Sequence, residues 1–199
     1  MKAVLLGPTG PRYQSMIQLG AYAGMRFGEV AALRVGNLNL LRRSLQVAET
    51  LNEVGSDLIF GPPKTSTSRR SIALPTFVCE NLSRHLANYG HGDGQLVFAS
   101  PEGQPVRRRN WQKRVWYRAV DASVGRPCTF HDLRHSAASL LIREGLSPKV
   151  IQERLGHASI KTTLDTYGHL FEGMDRAAAD ALDAAACGVF VGLGGLRTG

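Results

Sequence analysis

The stretch "LGHASIKTTLDTYGHL", residues 155–170, decides how this chain is interpreted. Gly156 is typical of a helix end and Ser159 of a helix N-cap, so the stretch predicts two short helices joined by a tight turn. Tyr167 follows Ile160 by seven residues and Leu164 by three, which continues an apolar helical stripe. Three interpretations are therefore open: a packing tyrosine, a nucleophilic phenol, or a helix-turn-helix whose second helix enters a major groove.

The charge balance favours a polyanionic partner. The chain has 199 residues with 24 Lys and Arg against 16 Asp and Glu, a net charge of +8, which suits nucleic acid or an anionic membrane surface. Its length predicts one domain with one core. Because the sequence has no long apolar run and its N-terminal apolar stretch is too short for a secretory signal, we expect a soluble, cytoplasmic protein with no membrane partner, which leaves nucleic acid as the favoured polyanion.

The residue pattern predicts a mainly α fold with a small antiparallel β-sheet inserted near the N-terminal side. A helix over 11–22 has Thr9 as a candidate N-cap and ends at Gly24. Short β-type runs lie within 38–60, and "RRSIALP" adds a strand that Pro75 stops.

The second half of the chain is predicted to be mainly helical. Residues 95–100, "QLVFAS", suggest a strand or an extended segment before it. Asn110 is a candidate helix N-cap, and Thr129 is another, with Asp132 completing a capping box. Ser147 is predicted to open the helix that Gly156 ends.

Two cofactor interpretations fail on the residues present. The opening "VLLGPTGPRY" resembles a phosphate-binding loop, but Pro11 and Arg12 follow Gly10 where a Lys and a Ser or Thr are needed, so we expect no nucleotide or other small-molecule substrate. His131 and His135 have the spacing of a zinc pair, but the Glu of H-E-x-x-H is absent. We therefore expect no metal and no cofactor.

Several basic residues have both an ordinary and a functional interpretation. "HDLRH", residues 131–135, puts His131, Arg134 and His135 on one side of a helix, which is also what a polar helix surface looks like. Arg26 and Glu29 could form an ordinary surface ion pair. Lys64 lies in a Ser- and Thr-rich segment typical of an exposed hairpin.

Residues 105–126 carry seven basic residues against one acid, interleaved with Trp111, Trp116 and Tyr117. This mixture suits contacts with phosphates and sugar faces. The predicted DNA-binding residues are Arg69, Arg70, Arg107, Arg108, Arg109, Lys113 and Arg114.

Four segments in one order give the chain its resemblance to a known family: "AYAGMRFGEVAALR", "PPKTSTSRRSIALP", "TFHDLRHSAASLLIREG" and "IQERLGHASIKTTLDTYGHL". Over residues 11–172 the chain resembles the catalytic domain of tyrosine recombinases of the phage integrase family, an α+β fold. The resemblance implies that Tyr167 is the nucleophile and that Glu29 is a supporting acid. It also implies a phosphate-binding and proton-transfer set made of Arg26, Lys64, His131, Arg134 and His157.

The implied activity is site-specific recombination of double-stranded DNA through a covalent 3′-phosphotyrosine, without a metal. A phosphodiester gathers negative charge when a phenol attacks it, and fixed cationic donors stabilise that charge. In such a scheme His131 accepts the phenol proton and Lys64 protonates the leaving 5′ oxygen.

The resemblance also sets expectations for domain organisation. Residues 1–172 are the expected catalytic domain, and 173–199 an Ala-rich helix with a Gly-rich tail that is disordered or mediates self-association. We expect the N-terminal core-binding domain of such enzymes to be absent and DNA affinity to be weak. The alternatives are a non-catalytic helix-turn-helix-like DNA-binding protein and an inactive recombinase fragment. A topoisomerase of similar chemistry ranks third.

Overall fold

The computed structural model describes residues 9–63, 66–89, 92, 94–123, 125–171 and 174–193. Within the described residues of the first half, two helices come first, five short strands follow, and a third helix comes last. These elements are α1 (Pro11–Ala23), α2 (Phe27–Ala31), β1 (Leu38–Asn39), β2 (Ser44–Val47), β3 (Thr50–Val54), β4 (Asp57–Gly61), β5 (Arg70–Ala73) and α3 (Thr76–Tyr89).

The second half of the described chain is helical. Its elements are α4 (Arg108–Trp111), a π-helical turn (Gln112–Trp116), α5 (Tyr117–Ser123), α6 (Phe130–Arg143), α7 (Pro148–Leu155), α8 (Ile160–Tyr167), a 3-10 turn (Gly168–Phe171) and α9 (Met174–Leu193). The predicted mainly α, α+β fold is confirmed. None of the helices in the described ranges combines the length and apolar composition needed to cross a membrane.

The strands form two antiparallel sheets. In the first, β2 lies between β1 and β5, and Leu45 pairs with Ile72, both buried against the core. The second is the hairpin of β3 and β4. Residues 95–100 add isolated bridges instead of a strand, so the extended alternative of that prediction is the one observed.

Most helix ends follow the predicted signals. Gly24 ends α1 with a left-handed φ of 66°, and Thr129 and Asp132 form the capping box of α6. Two caps were predicted wrongly. Gly10, not Thr9, is the N-cap of α1, and α4 begins after Arg107, ahead of the predicted cap at Asn110.

Helix α6 joins two apolar clusters. Its N-terminal residues Phe130 and Leu133 belong to the large core that also contains residues of α1 to α5 and the sheet. Its C-terminal residues pack with α7 and α8 in a second cluster formed by Ala138, Ile142, Ile151, Leu155 and Tyr167. Helix α6 therefore fixes the α7–α8 pair against the main body of the fold.

The two tryptophans of the basic segment belong to the core. Trp111 and Trp116 are buried, stack with a centroid distance of 5.5 Å, and pack against Phe130. The Trp116 indole N–H donates to the Cys128 carbonyl over 2.7 Å. The predicted role of these two rings in contacting DNA sugars is therefore wrong, because neither ring faces solvent.

Replacing Gly24 by alanine should lower the free energy of unfolding by about 3 kcal/mol, because a Cβ there would overlap the Leu155 side chain and would also occupy a left-handed backbone conformation. Gly55→Ala is the matched control: Gly55 has a φ of 60° but open space around its Cα, so only the conformational cost of about 1 kcal/mol is expected. Urea unfolding of both variants measures the difference. Equal losses would show that the contact with α7 is not tight.

Candidate active site

Arg26 begins α2 and is held there by Glu29. Its backbone N–H donates to Glu29 Oε2 over 2.9 Å, and its Nη1 donates to Glu29 Oε1 over 3.0 Å. The Glu29 side chain is only 3% exposed, whereas that of Arg26 is 40% exposed. The Arg26 guanidinium is therefore partly exposed to solvent while buried Glu29 fixes its position. A surface ion pair, in contrast, has two mobile side chains.

Glu29 has a second partner, Arg70 on β5. Arg70 Nη1 and Nη2 donate to the two carboxylate oxygens over 3.1 and 3.0 Å. Burial raises the pKa of Glu29, but the hydrogen bonds and charge of Arg70, aided by Arg26, outweigh it and hold that pKa below its ordinary value. The carboxylate is therefore ionised at neutral pH.

The placement of Arg70 corrects its predicted role in DNA binding. The Arg70 side chain is 6% exposed and faces Glu29, so it is not presented to a DNA backbone. The sequence placed it in an exposed basic hairpin, because local composition does not show which arginine of the Arg69–Arg70 pair turns inward.

Arg134 is a buried cation held by the ends of two helices. It is 1% exposed, and its Nη1 and Nη2 donate to the carbonyls of Gly24 and Leu155 over 2.5 and 2.6 Å. Burial, followed by the charge of Arg26, lowers its pKa to about 9, so it stays protonated at neutral pH. The C-terminal carbonyls of α1 and α7 thus fix the plane of this guanidinium.

His157 follows the left-handed Gly156 in the loop between α7 and α8. Its Nδ1 lies 2.9 Å from Thr163 Oγ1, and its backbone carbonyl accepts from Gln152 Nε2 over 3.0 Å. Burial lowers the pKa of His157 to about 4, and the charges of Arg134, Arg26 and Arg70 add to the effect. His157 is therefore neutral at pH 7, and the arginines that shift its pKa lie close to it.

His131 lies on the first turn of α6, exposed to solvent, with its ring centroid 4.8 Å from that of His135. Burial lowers its pKa, and His135, Arg134 and Arg26 lower it further. A neutral imidazole has a free lone pair, so His131 can accept a proton at neutral pH.

Tyr167 is 4% exposed and its hydroxyl lies 2.9 Å from His135 Nδ1. Its ring is nearly parallel to that of His157, with centroids 6.5 Å apart. Burial raises the pKa of the Tyr167 phenol, while Arg134 and Arg26 oppose the rise. The phenol is thus protonated at rest and hydrogen-bonded to a histidine.

The sequence predicts no catalytic role for His135. Its spacing puts His135 on the same helix side as His131, but the contact with Tyr167 joins residues 32 positions apart. Only the packing of α8 on α6 shows that contact.

A groove of about 1380 Å³ opens beside these side chains. Its lining includes Arg26, His131 and His157 together with residues of the β3–β4 hairpin. Arg134 and Tyr167 are buried and are not lining residues. The groove is thus open to a ligand, while the phenol is covered.

The remaining predicted DNA-binding residues divide into groups. Arg108 and Arg109 line the groove, and Lys113 and Arg114 are exposed outside its lining. Arg107 donates to the Ser56 carbonyl over 2.8 Å and so ties α4 to the hairpin tip. Arg69 is exposed, and Lys64 lies outside the described residues.

This arrangement suits the binding of a phosphate. Arg26 and Arg134 are fixed cations, and a neutral imidazole at His157 can donate one N–H. His131, a neutral histidine that also lines the groove, can accept a proton. Within the described residues, no three His, Cys, Asp or Glu side chains are grouped closely enough to hold a metal ion.

A mainly helical α+β domain that gathers two arginines, two histidines and a tyrosine in this way has the architecture of a tyrosine recombinase catalytic domain. The family model described as "Phage integrase family" matches residues 1–174. The chain belongs to the phage integrase family.

Individual relatives agree with this assignment. The integrase of Staphylococcus phage L54a is 30% identical over 171 residues, covering 80% of this chain and 48% of that protein. The ICEBs1 integrase of Bacillus subtilis strain 168 is 28% identical over 180 residues, covering 86% and 48%. The chain spans about half the length of these curated relatives.

A solved structure shows the same fold. The Tn1549 transposon integrase, determined in complex with circular intermediate DNA, gives a TM-score of 0.76 at 22% identity. The match covers 91% of this chain and 64% of that chain.

The low pKa of His157 predicts a loss of stability on mild acidification. An unfolded histidine binds a proton below about pH 6.5, whereas folded His157 does so only near pH 4, so stability falls as pH drops through this window. Between pH 7 and pH 5 the parent should lose about 1–2 kcal/mol that His157→Asn does not lose. Urea unfolding at both pH values measures this, with exposed His169→Asn as the matched control. Equal losses in the parent and in His157→Asn would contradict the burial of a neutral His157.

Proposed function

We propose that this chain carries out site-specific recombination of double-stranded DNA by breaking and rejoining strands through a covalent 3′-phosphotyrosine at Tyr167. The observation that carries the proposal is the placement of Arg134. Its guanidinium is bonded to the ends of both α1 and α7, which brings Arg26, His157 and Tyr167 around one cation.

The proposed step is an in-line displacement at phosphorus. The Tyr167 oxygen forms a bond to phosphorus as the bond to the 5′ oxygen breaks, and the 3′ side of the strand stays on the enzyme. Arg26 stabilises the charge on the non-bridging oxygens, and buried Arg134 does so once the movement that uncovers Tyr167 exposes it as well. His157 donates a hydrogen bond to one of these oxygens. The reverse attack by a 5′ hydroxyl restores a phosphodiester and frees the tyrosine.

Two protons must move in this step. The phenol proton goes to His131. Lys64 supplies the second proton, to the leaving 5′ oxygen. His135 is a second acceptor for the phenol proton, because it already lies within hydrogen-bond distance of the Tyr167 hydroxyl.

The resting position of Tyr167 requires a local movement before attack. Its hydroxyl faces His135 and its side chain is outside the groove lining, so α8 must shift to present the phenol to a phosphate bound by Arg26. Helix α8 is short, and most of its residues are exposed, with Thr163 and Tyr167 as its buried residues. Because α8 has few buried residues, it loses few contacts when it moves.

The proposal extends to the parts of the chain around the site. Residues 1–172 act as the catalytic domain, and α9, an Ala-rich helix, provides a surface for self-association. DNA binds along the groove and the exposed arginines beside it, and we propose that the protein acts on DNA in the cytoplasm. A non-catalytic helix-turn-helix-like DNA-binding protein would have no need of a buried arginine beside the tyrosine.

A DNA substrate that traps the covalent intermediate tests the function directly. With a nicked substrate that loses its 5′ fragment after cleavage, the parent should form a protein–DNA adduct that survives denaturing electrophoresis. Tyr167→Phe should form none, because it lacks the nucleophilic oxygen. Tyr89→Phe, at the end of α3 against Arg12, is the matched control and should react like the parent.

An adduct that persists in Tyr167→Phe would move the nucleophile elsewhere in the chain. DNA binding by the parent without any adduct would favour the inactive or purely DNA-binding alternative.

The salt dependence of DNA binding tests which arginines contact phosphates. Arg108→Ala/Arg109→Ala should lower the slope of log K against log salt by up to about 2, since each lost phosphate contact removes about 0.9. Lys113→Ala/Arg114→Ala removes the same charge outside the groove lining and should change the slope less. Fluorescence anisotropy at several salt concentrations measures both, and equal changes would contradict the groove as the binding surface.

A further inference from the structure

We infer that Arg70 is a positioning residue that fixes the Arg26 guanidinium and the loop carrying His157 relative to each other. This inference rests on the proposed function. Arg70 lies on β5, away from both elements in sequence, and neither its motif nor its local composition predicts such a role.

The first half of the argument is the contact with Glu29. Arg70 donates from both terminal nitrogens to both carboxylate oxygens, while Arg26 donates to the same carboxylate from its backbone and its side chain. Because Glu29 is buried, its charge would be unfavourable without these partners. The position of Arg70 therefore determines where Glu29, and with it Arg26, lies.

The second half is the contact with the C-terminus of α7. Arg70 Nε donates to the Arg154 carbonyl over 2.8 Å, at the end of the helix where unpaired carbonyls carry partial negative charge. In return, the Arg154 side chain donates to the carbonyls of Ala73 and Tyr22, each over 3.0 Å. Two reciprocal arginine contacts thus join β5 to α7, directly before His157.

The close approach of Arg70 to Gly156 supports the same conclusion. A Cβ at Gly156 would lie 3.0 Å from both Cδ and Nη1 of Arg70, and Gly156 also has a φ of 67°. The loop into His157 therefore runs tightly along the Arg70 side chain. Its backbone position depends on that side chain.

Arginine is required here because of its shape as well as its charge. A planar guanidinium donates in two directions at once, and Arg70 uses one edge for Glu29 and its Nε for Arg154. Lysine keeps the charge but has a single donor group, so it cannot hold both partners in the same geometry. Arg70→Lys therefore separates positioning from charge.

The kinetic test compares adduct formation by the parent with that by Arg70→Lys and Arg70→Ala at saturating nicked DNA. We expect both variants to be slowed about 100-fold, the size of effect that small displacements of reacting groups produce. DNA affinity and its salt slope should stay within about twofold, because the donor nitrogens of Arg70 are engaged by Glu29, Ser68 and Arg154 and make no phosphate contact. Arg42→Ala, an exposed arginine in the turn before β2, is the matched control and should match the parent.

Two outcomes overturn the inference. Arg70→Lys that reacts at the parent rate would show that the fork geometry is dispensable. If the rate falls only as much as DNA affinity falls, Arg70 acts by binding DNA and not by positioning. If Arg70→Ala unfolds, Arg70→Lys alone decides, provided that its thermal midpoint stays close to that of the parent.

A measurement on the free protein keeps this inference separate from the proposed function. In amide NMR spectra of labelled protein, Arg70→Lys should shift the signals of Arg26 and Glu29 and also those of Gly156 and His157, whereas Arg42→Ala should shift none of them. Shifts confined to one of the two groups would overturn the inference even if the parent forms no adduct. A parent without an adduct but with both groups shifted would contradict the proposed function alone.

Discussion

The structure depends on keeping three guanidinium groups close together. Arg26, Arg70 and Arg134 all act on the pKa of His157, so they are electrostatic neighbours, and their mutual repulsion must be offset. One buried carboxylate, Glu29, offsets part of it through contacts with two of the three arginines. Removing Glu29 would therefore take away the one carboxylate that Arg26 and Arg70 share.

The rest of the compensation comes from helix ends. The carbonyl of Gly24 closes α1, and the carbonyls of Arg154 and Leu155 close α7, and each accepts from an arginine of the group. Helix C-termini carry partial negative charge, so they stabilise cations without adding an ionisable group. The same contacts fix the two helices relative to each other, which is why the charge arrangement and the fold depend on one another.

Local signals allowed part of this fold to be predicted. Helix caps depend only on residues a few positions away, so they are visible in the sequence. The structure shows the predicted caps at Gly24, at the Thr129–Asp132 capping box, at Ser147 and at Gly156. The order of the family segments predicted Arg26, Arg134, His157 and Tyr167 as one set. They are electrostatic neighbours in the structure, and their roles in catalysis stay predictions.

What the sequence could not show are contacts between distant segments. Arg69 and Arg70 are adjacent in a basic segment, yet Arg69 is exposed in the bend before β5, whereas Arg70 begins β5 and is bonded to Glu29. Trp111 looked like part of a nucleic-acid surface because its neighbours are basic, but the opposite side of the same helical turn faces the core. His135 met Tyr167 only through the packing of two helices.

The covered phenol has a consequence for specificity. Under the proposed function, the protein meets phosphodiesters all along its DNA, and a nucleophile that was always exposed would cut any of them. If uncovering Tyr167 costs about 2 kcal/mol, the phenol is uncovered in only about 3% of unbound molecules at a given moment. DNA sites that make contacts only with the uncovered conformation would stabilise it and would be cut preferentially. The covered phenol of the free protein would in this way increase the selectivity for such sites.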